Sequence, residues 1–326
     1  MIKRSILLSS LLWSTVASAD TNWLSATLDN DFFVNEDNGY TNGIFVSLYD
    51  LNSEDETTHQ PSFWVSPLTW SLPDRPVSNA FNAYSFGQTL MTPFNIEEKV
   101  PGPDTFPYSA LLSFTNTYIA IGSDHADRLS TTLGVVGPIA MGKESQKAVH
   151  RVVDAKMPQG WDTQLENELV FEFSRGRTWR SWVSENENAD LLTGANISLG
   201  TLRSSVSTGF VVRYGRGLAS SFATVLLSQS RTSNPIAVDQ GWFVYAGVEM
   251  TMIGNQIFTD GNTFRDSRSI DYDHNYNVFT SGITYAWEDM SLAFAINAPF
   301  SLTEESQNND LDKFTRYGTL TLAWQI

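Results

Sequence analysis

The amino-acid sequence predicts an all-β protein: a transmembrane antiparallel β-barrel of about twelve strands, with a short helix in an external loop. Three observations predict it. The chain opens with an export leader, no later run of roughly 18 apolar residues follows, and segments of about ten residues alternate apolar with small or polar side chains.

The leader comes first. Lys3 and Arg4 precede an apolar stretch from Ile6 to Val16, and Ala17-Ser18-Ala19 stands before Asp20. That order of charged, apolar and small-residue zones predicts a signal peptide over 1–19, cut behind Ala19, with 20–326 as the barrel domain. The apolar stretch is shorter than the roughly 20 residues a spanning helix needs, so a helical inner-membrane protein is excluded. Cysteine is absent, which removes disulfides and thiolate metal sites. The net charge of -16 becomes -18 without Lys3 and Arg4. Such an acidic chain argues against a nucleic-acid partner and suits divalent cations.

The strands follow from the alternation. Over 290–297, Met290, Leu292, Phe294 and Ile296 alternate with Ser291, Ala293, Ala295 and Asn297. Segments 205–214 and 319–326 repeat the pattern, with one apolar face and one small or polar face. The predicted strands cover 23–33, 40–50, 79–91, 108–121, 127–136, 165–178, 189–201, 205–216, 239–256, 270–286, 290–299 and 314–326. Closure of an even number of strands satisfies every backbone group in lipid. Trp23, Tyr40, Tyr49, Tyr108, Tyr118, Trp179, Trp242, Tyr285 or Trp287, and Trp324 suit aromatic girdles at the membrane interfaces. A barrel that begins and ends in the periplasm puts the connections 34–39, 92–107, 137–164, 202–204, 257–269 and 300–313 outside. The long irregular segments 51–78 and 217–238 then lie on the periplasmic side.

Chemistry is sought next. No Gly-x-Ser-x-Gly elbow, His-Glu-x-x-His helix or phosphate loop is present. Asp29-Asn30-Asp31-Phe32-Phe33, Asn35-Glu36-Asp37-Asn38-Gly39 and Tyr40-Thr41-Asn42-Gly43 crowd oxygen donors around one hairpin, as a Ca²⁺ site requires. An Asn/Asp/Gly turn held by local hydrogen bonds accounts for the same composition. Adjacent Asn30 and Asp31 face opposite sides of a regular strand, so using both needs a bulge. In the connection from Gly137 to Val153 a short helix is expected from Glu144, with Gln146 and His150 four apart on one face. Histidine suits a general base near neutral pH, although a lone histidine is more often structural. Both candidates fall at the same end of the barrel.

At these residues the sequence resembles the lipid A 3′-O-deacylase family of outer-membrane β-barrels. The matching pieces are Asn30-Asp31-Phe32-Phe33, Tyr40-Thr41-Asn42-Gly43, Gln88 with Thr92-Pro93, Pro107-Tyr108, and Gly134-Val135-Val136-Gly137-Pro138. Further on come Gln146 with His150-Arg151, Gly160-Trp161-Asp162-x-Gln164-x-x-Asn167-Glu168, Asp260-Gly261-Asn262-Thr263-Phe264 and Ser267. The resemblance implies a site between the barrel wall and a helix of an external loop, facing lipopolysaccharide in the outer leaflet. It also implies Ca²⁺-dependent hydrolysis of the 3′-linked acyloxyacyl ester of lipid A. On this chain His150 is then the general base on water, while Asn30, Asp31 and Thr41 line the site, with Asn30 and Asp31 as metal ligands. The sequence departs from the family at the segment Asp104-Thr105-Phe106-Pro107-Tyr108-Ser109, which is Asp-Arg-Pro-Tyr-Ala-Gly in many members, and at two single positions. A Lys after the Thr-Pro segment and a Glu six residues beyond the His become Glu98 and Lys156 here, and an exchanged ion pair between them is one way to keep the local charge.

Two other readings use the same residues. A Ca²⁺-dependent outer-membrane phospholipase keeps the chemistry with another substrate, and a silent barrel acting as channel or receptor has an open lumen. The basic-aromatic run Arg175-Gly176-Arg177-Thr178-Trp179-Arg180-Ser181-Trp182 is placed on the periplasmic side and is read as an interfacial anchor.

Overall fold

The structure is a computed structural model and describes residues 21–34, 39–50, 59–223, 241–287, 289–300 and 316–326. The signal peptide expected over 1–19 lies outside them. Twelve strands close into one antiparallel barrel in which each pairs with its sequence neighbours and β1 closes on β12. They are β1 (Thr21–Asn30), β2 (Gly39–Asp50), β3 (Asn79–Thr92), β4 (Ser109–Ile121), β5 (His125–Val136) and β6 (Glu168–Val183). The second half is β7 (Ala189–Leu199), β8 (Arg203–Gly215), β9 (Gly241–Gln256), β10 (Asn275–Trp287), β11 (Met290–Phe300) and β12 (Tyr317–Gln325). A helix, α1 (Gly142–Val153), lies between β5 and β6, and two short helical turns, α2 (Leu218–Ser221) and α3 (Ile257–Asp260), follow β8 and β9. No described helix is long and apolar enough to cross a membrane.

Alternation decides the two faces. Leu292, Ile296, Phe279, Ile283, Val244, Met252, Val206 and Ile197 are exposed on the outer wall, while Ser25, Thr27, Ser47, Thr117, Ser130, Ser205 and Ser207 are buried on the inner one. In water this would be an inverted protein; against hydrocarbon it is the expected one. Inside, Thr27 meets Thr321 at 2.9 Å and Thr117 meets Ser130 at 3.0 Å. At the end that carries the even-to-odd turns, Trp23, Tyr49, Phe81, Ile119, Leu192, Val211 and Phe222 form an apolar cluster in the lumen. Beside it Asp190 and Arg213 are fully buried and joined by two hydrogen bonds of 2.8 and 2.6 Å. A filled lumen at this end does not suit the open channel.

The outer wall of β3–β5 breaks the alternation. Here protein replaces lipid. A strap, the 3-10 helix Phe63–Ser71 with the residues before it, lies along the wall, where Val65 is buried against Ala80, Tyr118, Ala120 and Leu129. Asn82 accepts from the Ser62 amide at 3.2 Å and donates to the Gln60 carbonyl at 3.0 Å, while Thr131 donates to the Trp64 carbonyl at 2.8 Å. Part of the segment expected to be an irregular loop is therefore a docked element.

The aromatic girdle is smaller than expected. Trp179, Trp242, Tyr285 and Trp287 are exposed on the outer wall, and Trp324 is half-buried there. Trp23 and Tyr49 point into the lumen, Tyr118 lies under the strap and Tyr108 under the β5–β6 connection. The side chain of Tyr40 lies outside the described residues.

Candidate active site

The connection 137–167 folds back on the outer wall instead of capping the barrel. Leu90 and Ala110, outward residues of β3 and β4, bury with Tyr108, Ala140 and Trp161 in one cluster. Gln88, one outward position below Leu90, donates to the Ala140 carbonyl at 2.5 Å and ties the start of the connection to the wall. The approach is close enough to require glycine twice. A Cβ on Gly142 would lie 2.4 Å from the Trp161 ring, and one on Gly160 2.4 Å from the Tyr108 ring. Tyr108 and Trp161 sit 5.0 Å apart, with Trp161 1 % and Tyr108 0 % exposed. Burial pushes the Tyr108 hydroxyl up to about 12, so it stays a neutral donor, to the Ile96 carbonyl at 2.9 Å.

Helix α1 is fixed through this cluster. Trp161 donates its indole N–H to Gln146 Oε1 at 2.7 Å, so Gln146, 2 % exposed, is a docking residue. Lys143 bonds Asp162 at 2.7 Å; the ammonium holds the Asp162 carboxyl below the usual range, and the carboxylate raises Lys143. One turn beyond Gln146, His150 is half-buried, and its Nδ1 lies 2.5 Å from the Lys156 carbonyl oxygen. A carbonyl only accepts, so Nδ1 carries the proton and the neutral ring keeps its lone pair on Nε2. The histidine is therefore set in the tautomer that a base at Nε2 needs.

The motifs that carry the resemblance interlock around that helix. Asn167 Oδ1 accepts from the Ile139 amide at 2.8 Å, and Glu168 accepts from the amides of Thr263 and Phe264 at 3.0 and 3.2 Å. Asn262 exchanges two 2.9 Å bonds with Glu166, which docks the β9–β10 connection on the β5–β6 connection. Asp162, Asn167, Glu168 and Asn262 thus build the support beneath α1. Burial pushes Tyr272 up to about 12, and it donates to Asp260 at 3.1 Å within the same support.

Asn30 and Asp31 sit at the same end of the barrel, on the β1–β2 connection; β2 pairs with β3, on which the start of the β5–β6 connection rests. The regular strand, and with it the alternation that would set the two on opposite faces, stops between them. β1 ends at Asn30, Asp31 begins a 3-10 turn (Asp31–Val34), and Asn30 Oδ1 accepts from the Phe32 amide at 2.9 Å. Asp31 is 5 % exposed. An amide oxygen beside a carboxylate fits a hard cation in donor type. Among the described residues no group of three or more His, Cys, Asp and Glu is placed to hold an ion. Thr41 lies in β2, but its side chain is outside the described residues, as are residues 35–38.

The exchanged pair forms with a neighbouring residue. Lys156 Nζ bonds Glu97 Oε2 at 2.6 Å, whereas Glu98 accepts from Asn95 at 3.0 Å. The Glu98–Lys156 pairing is replaced because Asn95–Glu98 closes as a turn, with the Glu98 amide donating to the Asn95 carbonyl at 3.3 Å. What the sequence could not show is that position 156 serves His150 through its backbone, an atom every residue type carries.

No curated protein sequence matches the chain. Among solved structures, LpxR from Salmonella typhimurium superposes with a TM-score of 0.71 at 15% identity, over 93% of this chain and 100% of that one. The β domain of the Bordetella autotransporter Brka aligns with 94% of this chain and 98% of its own, at 10% identity and a TM-score of 0.45. The first likeness establishes a shared barrel fold, and the family described as outer membrane protein LpxR matches residues 5–326. With that match across nearly its whole length, the chain belongs to the LpxR family of outer membrane proteins.

Proposed function

We propose that the protein is a lipid A deacylase that hydrolyses the 3′-linked acyloxyacyl ester in the outer leaflet, with His150 as general base. The observation that carries the reading is the His150 ring, held by the Lys156 carbonyl on a helix clamped to the outer wall of a barrel of this family. A site on the outer wall meets a substrate that stays in the membrane. In the reaction, water bonds to the ester carbonyl carbon as its proton passes to His150 Nε2. The C–O bond to the sugar then breaks, and the imidazolium returns the proton to the departing 3′-oxygen. The acyloxyacyl chain leaves as a carboxylic acid, and no acyl-enzyme forms.

Asn30, Asp31 and Thr41 line the site in this reading, and Asn30 and Asp31 offer oxygen to a Ca²⁺ ion. Held by these oxygens, a Ca²⁺ ion would supply positive charge to the developing oxyanion. The end bearing α1 then faces outward.

The test is mass spectrometry of lipid A from a host without such an activity, expressing the wild type or His150→Ala, with Ca²⁺ present or chelated. Loss of one acyloxyacyl mass with the wild type and Ca²⁺ alone is the expected result. Unchanged lipid A beside a folded barrel overturns the reading, and cleavage of purified phospholipid instead assigns a phospholipase.

A further inference from the structure

The outer wall carries two arginines where a barrel ordinarily shows lipid only apolar side chains. Arg175 and Arg177 share the outward face of β6 with Phe171 and Trp179, since Ser174, Gly176 and Thr178 between them are buried toward the lumen. Their cross-strand neighbours on β7 are Ile197 and Ala195. Charge at this position is costly in hydrocarbon and persists where a counter-charge meets it.

One counter-charge is internal. Asp127 on β5 accepts from Arg177 Nε and Nη2 at 2.8 and 2.9 Å and also from Arg175 Nη2. The side chains are 19 %, 23 % and 5 % exposed for Arg175, Arg177 and Asp127. No other carboxylate joins either guanidinium among the described residues, so two positive charges share one negative. His125 bridges below, with Nδ1 2.8 Å from Asp124 at the exposed turn and Nε2 3.8 Å from Asp127. On the wall itself the two guanidiniums outnumber the one carboxylate they share.

The level of that charge identifies its partner. Arg177 lies over the Trp179 ring at 6.0 Å, and Trp179, Trp182, Tyr214, Trp242 and Tyr285 form the exposed aromatic row at this end of the barrel. Aromatic rows mark the depth of headgroups, where phosphates lie. Guanidinium forks match phosphate oxygens. We infer that Arg175 and Arg177, set around Asp127 on the outer wall, bind the phosphate of a membrane phospholipid in the leaflet opposite the His150 site. The choice of leaflet rests on the outward placement of α1; the phosphate site itself does not.

The experiment is native mass spectrometry of the full folded chain released from micelles doped with phosphatidylglycerol, diacylglycerol or lipid A. Wild type should retain phosphatidylglycerol at least fivefold more than Arg175→Gln/Arg177→Gln/Asp127→Asn, with no difference for diacylglycerol. The triple substitution leaves no orphan charge, and heat-modifiable migration verifies folding. Arg175→Lys/Arg177→Lys keeps the charges and loses the forks, so it should retain at least threefold less than wild type. Equal retention by wild type and Lys variant overturns the guanidinium site, and a triple variant that loses retained lipid A instead of phosphatidylglycerol overturns the phospholipid. Neither readout depends on deacylation.

Discussion

Lys156 reaches Glu97 with its side chain, Nζ to Oε2 at 2.6 Å, while its own carbonyl oxygen holds His150. The ion pair is 69 % and 53 % exposed at its two side chains, so screening leaves it worth about 0–1 kcal/mol. Glu97→Gln should therefore leave lipid A cleavage within about threefold of wild type. A loss near that of His150→Ala, read by lipid A mass spectrometry, would mean that the pair itself sets the histidine.

Gly142→Ala should act on the site without touching it. The new methyl meets the Trp161 ring at 2.4 Å and the Ala110 Cβ at 2.5 Å, and the rigid barrel wall cannot recede. Overpacking of this kind costs about 1–3 kcal/mol, here charged to the docking of α1. Deacylation is expected to fall at least about fivefold, the population change that the lower end of that range corresponds to, while the barrel keeps its heat-modifiable band. Full activity would show that α1 need not rest on the wall.

Lys143 and Asp162, exposed on the rim of the docked helix, add a weak pH dependence to the docking of α1. Asp162 is depressed, so its contribution is present above its unfolded value and is lost as pH falls through the folded one. Lys143 is raised, so its contribution is present below its unfolded value and is lost as pH rises through the folded one. Amide exchange over 142–153 should then be flat after correction for intrinsic rates between roughly pH 5 and 9, and faster outside that window. A step inside it would point to another titrating group.

Arg213→Met should unsettle the lumen, because Asp190, 0 % exposed, would keep only Arg180 at 2.7 Å. Removing one partner of a buried pair costs about 3–5 kcal/mol. Urea unfolding in micelles reads that loss. Arg213→Met with Asp190→Asn should recover much of it, and failure to do so would make the arginine's packing over Phe243, 5.3 Å away, the larger contribution.

Most of the barrel is legible in the sequence because lipid and lumen impose opposite demands on alternate residues. β8, β11 and β12 follow that rule closely and lie within a few residues of expectation. β10 was expected from 270 but begins at Asn275, because the stretch before it belongs to the loop that buries Ile270 and Tyr272. The β3–β5 wall hides the rule: Asn82, Asn116 and Thr131 face outward yet are covered by protein. At the site, His150 and the docking motifs were visible as residue types. The Lys156 carbonyl was not, since no side chain signals it.

The strap has a consequence for how the protein enters its membrane. A bare cylinder would carry Asn82 and Thr131 into hydrocarbon without the strap groups of Gln60, Ser62 and Trp64 that bond them. Residues 59–72 must close over that wall before or as it is inserted, so biogenesis cannot be the simple zippering of twelve strands. The last hairpin to seal the cylinder matters less than the moment its side is clothed.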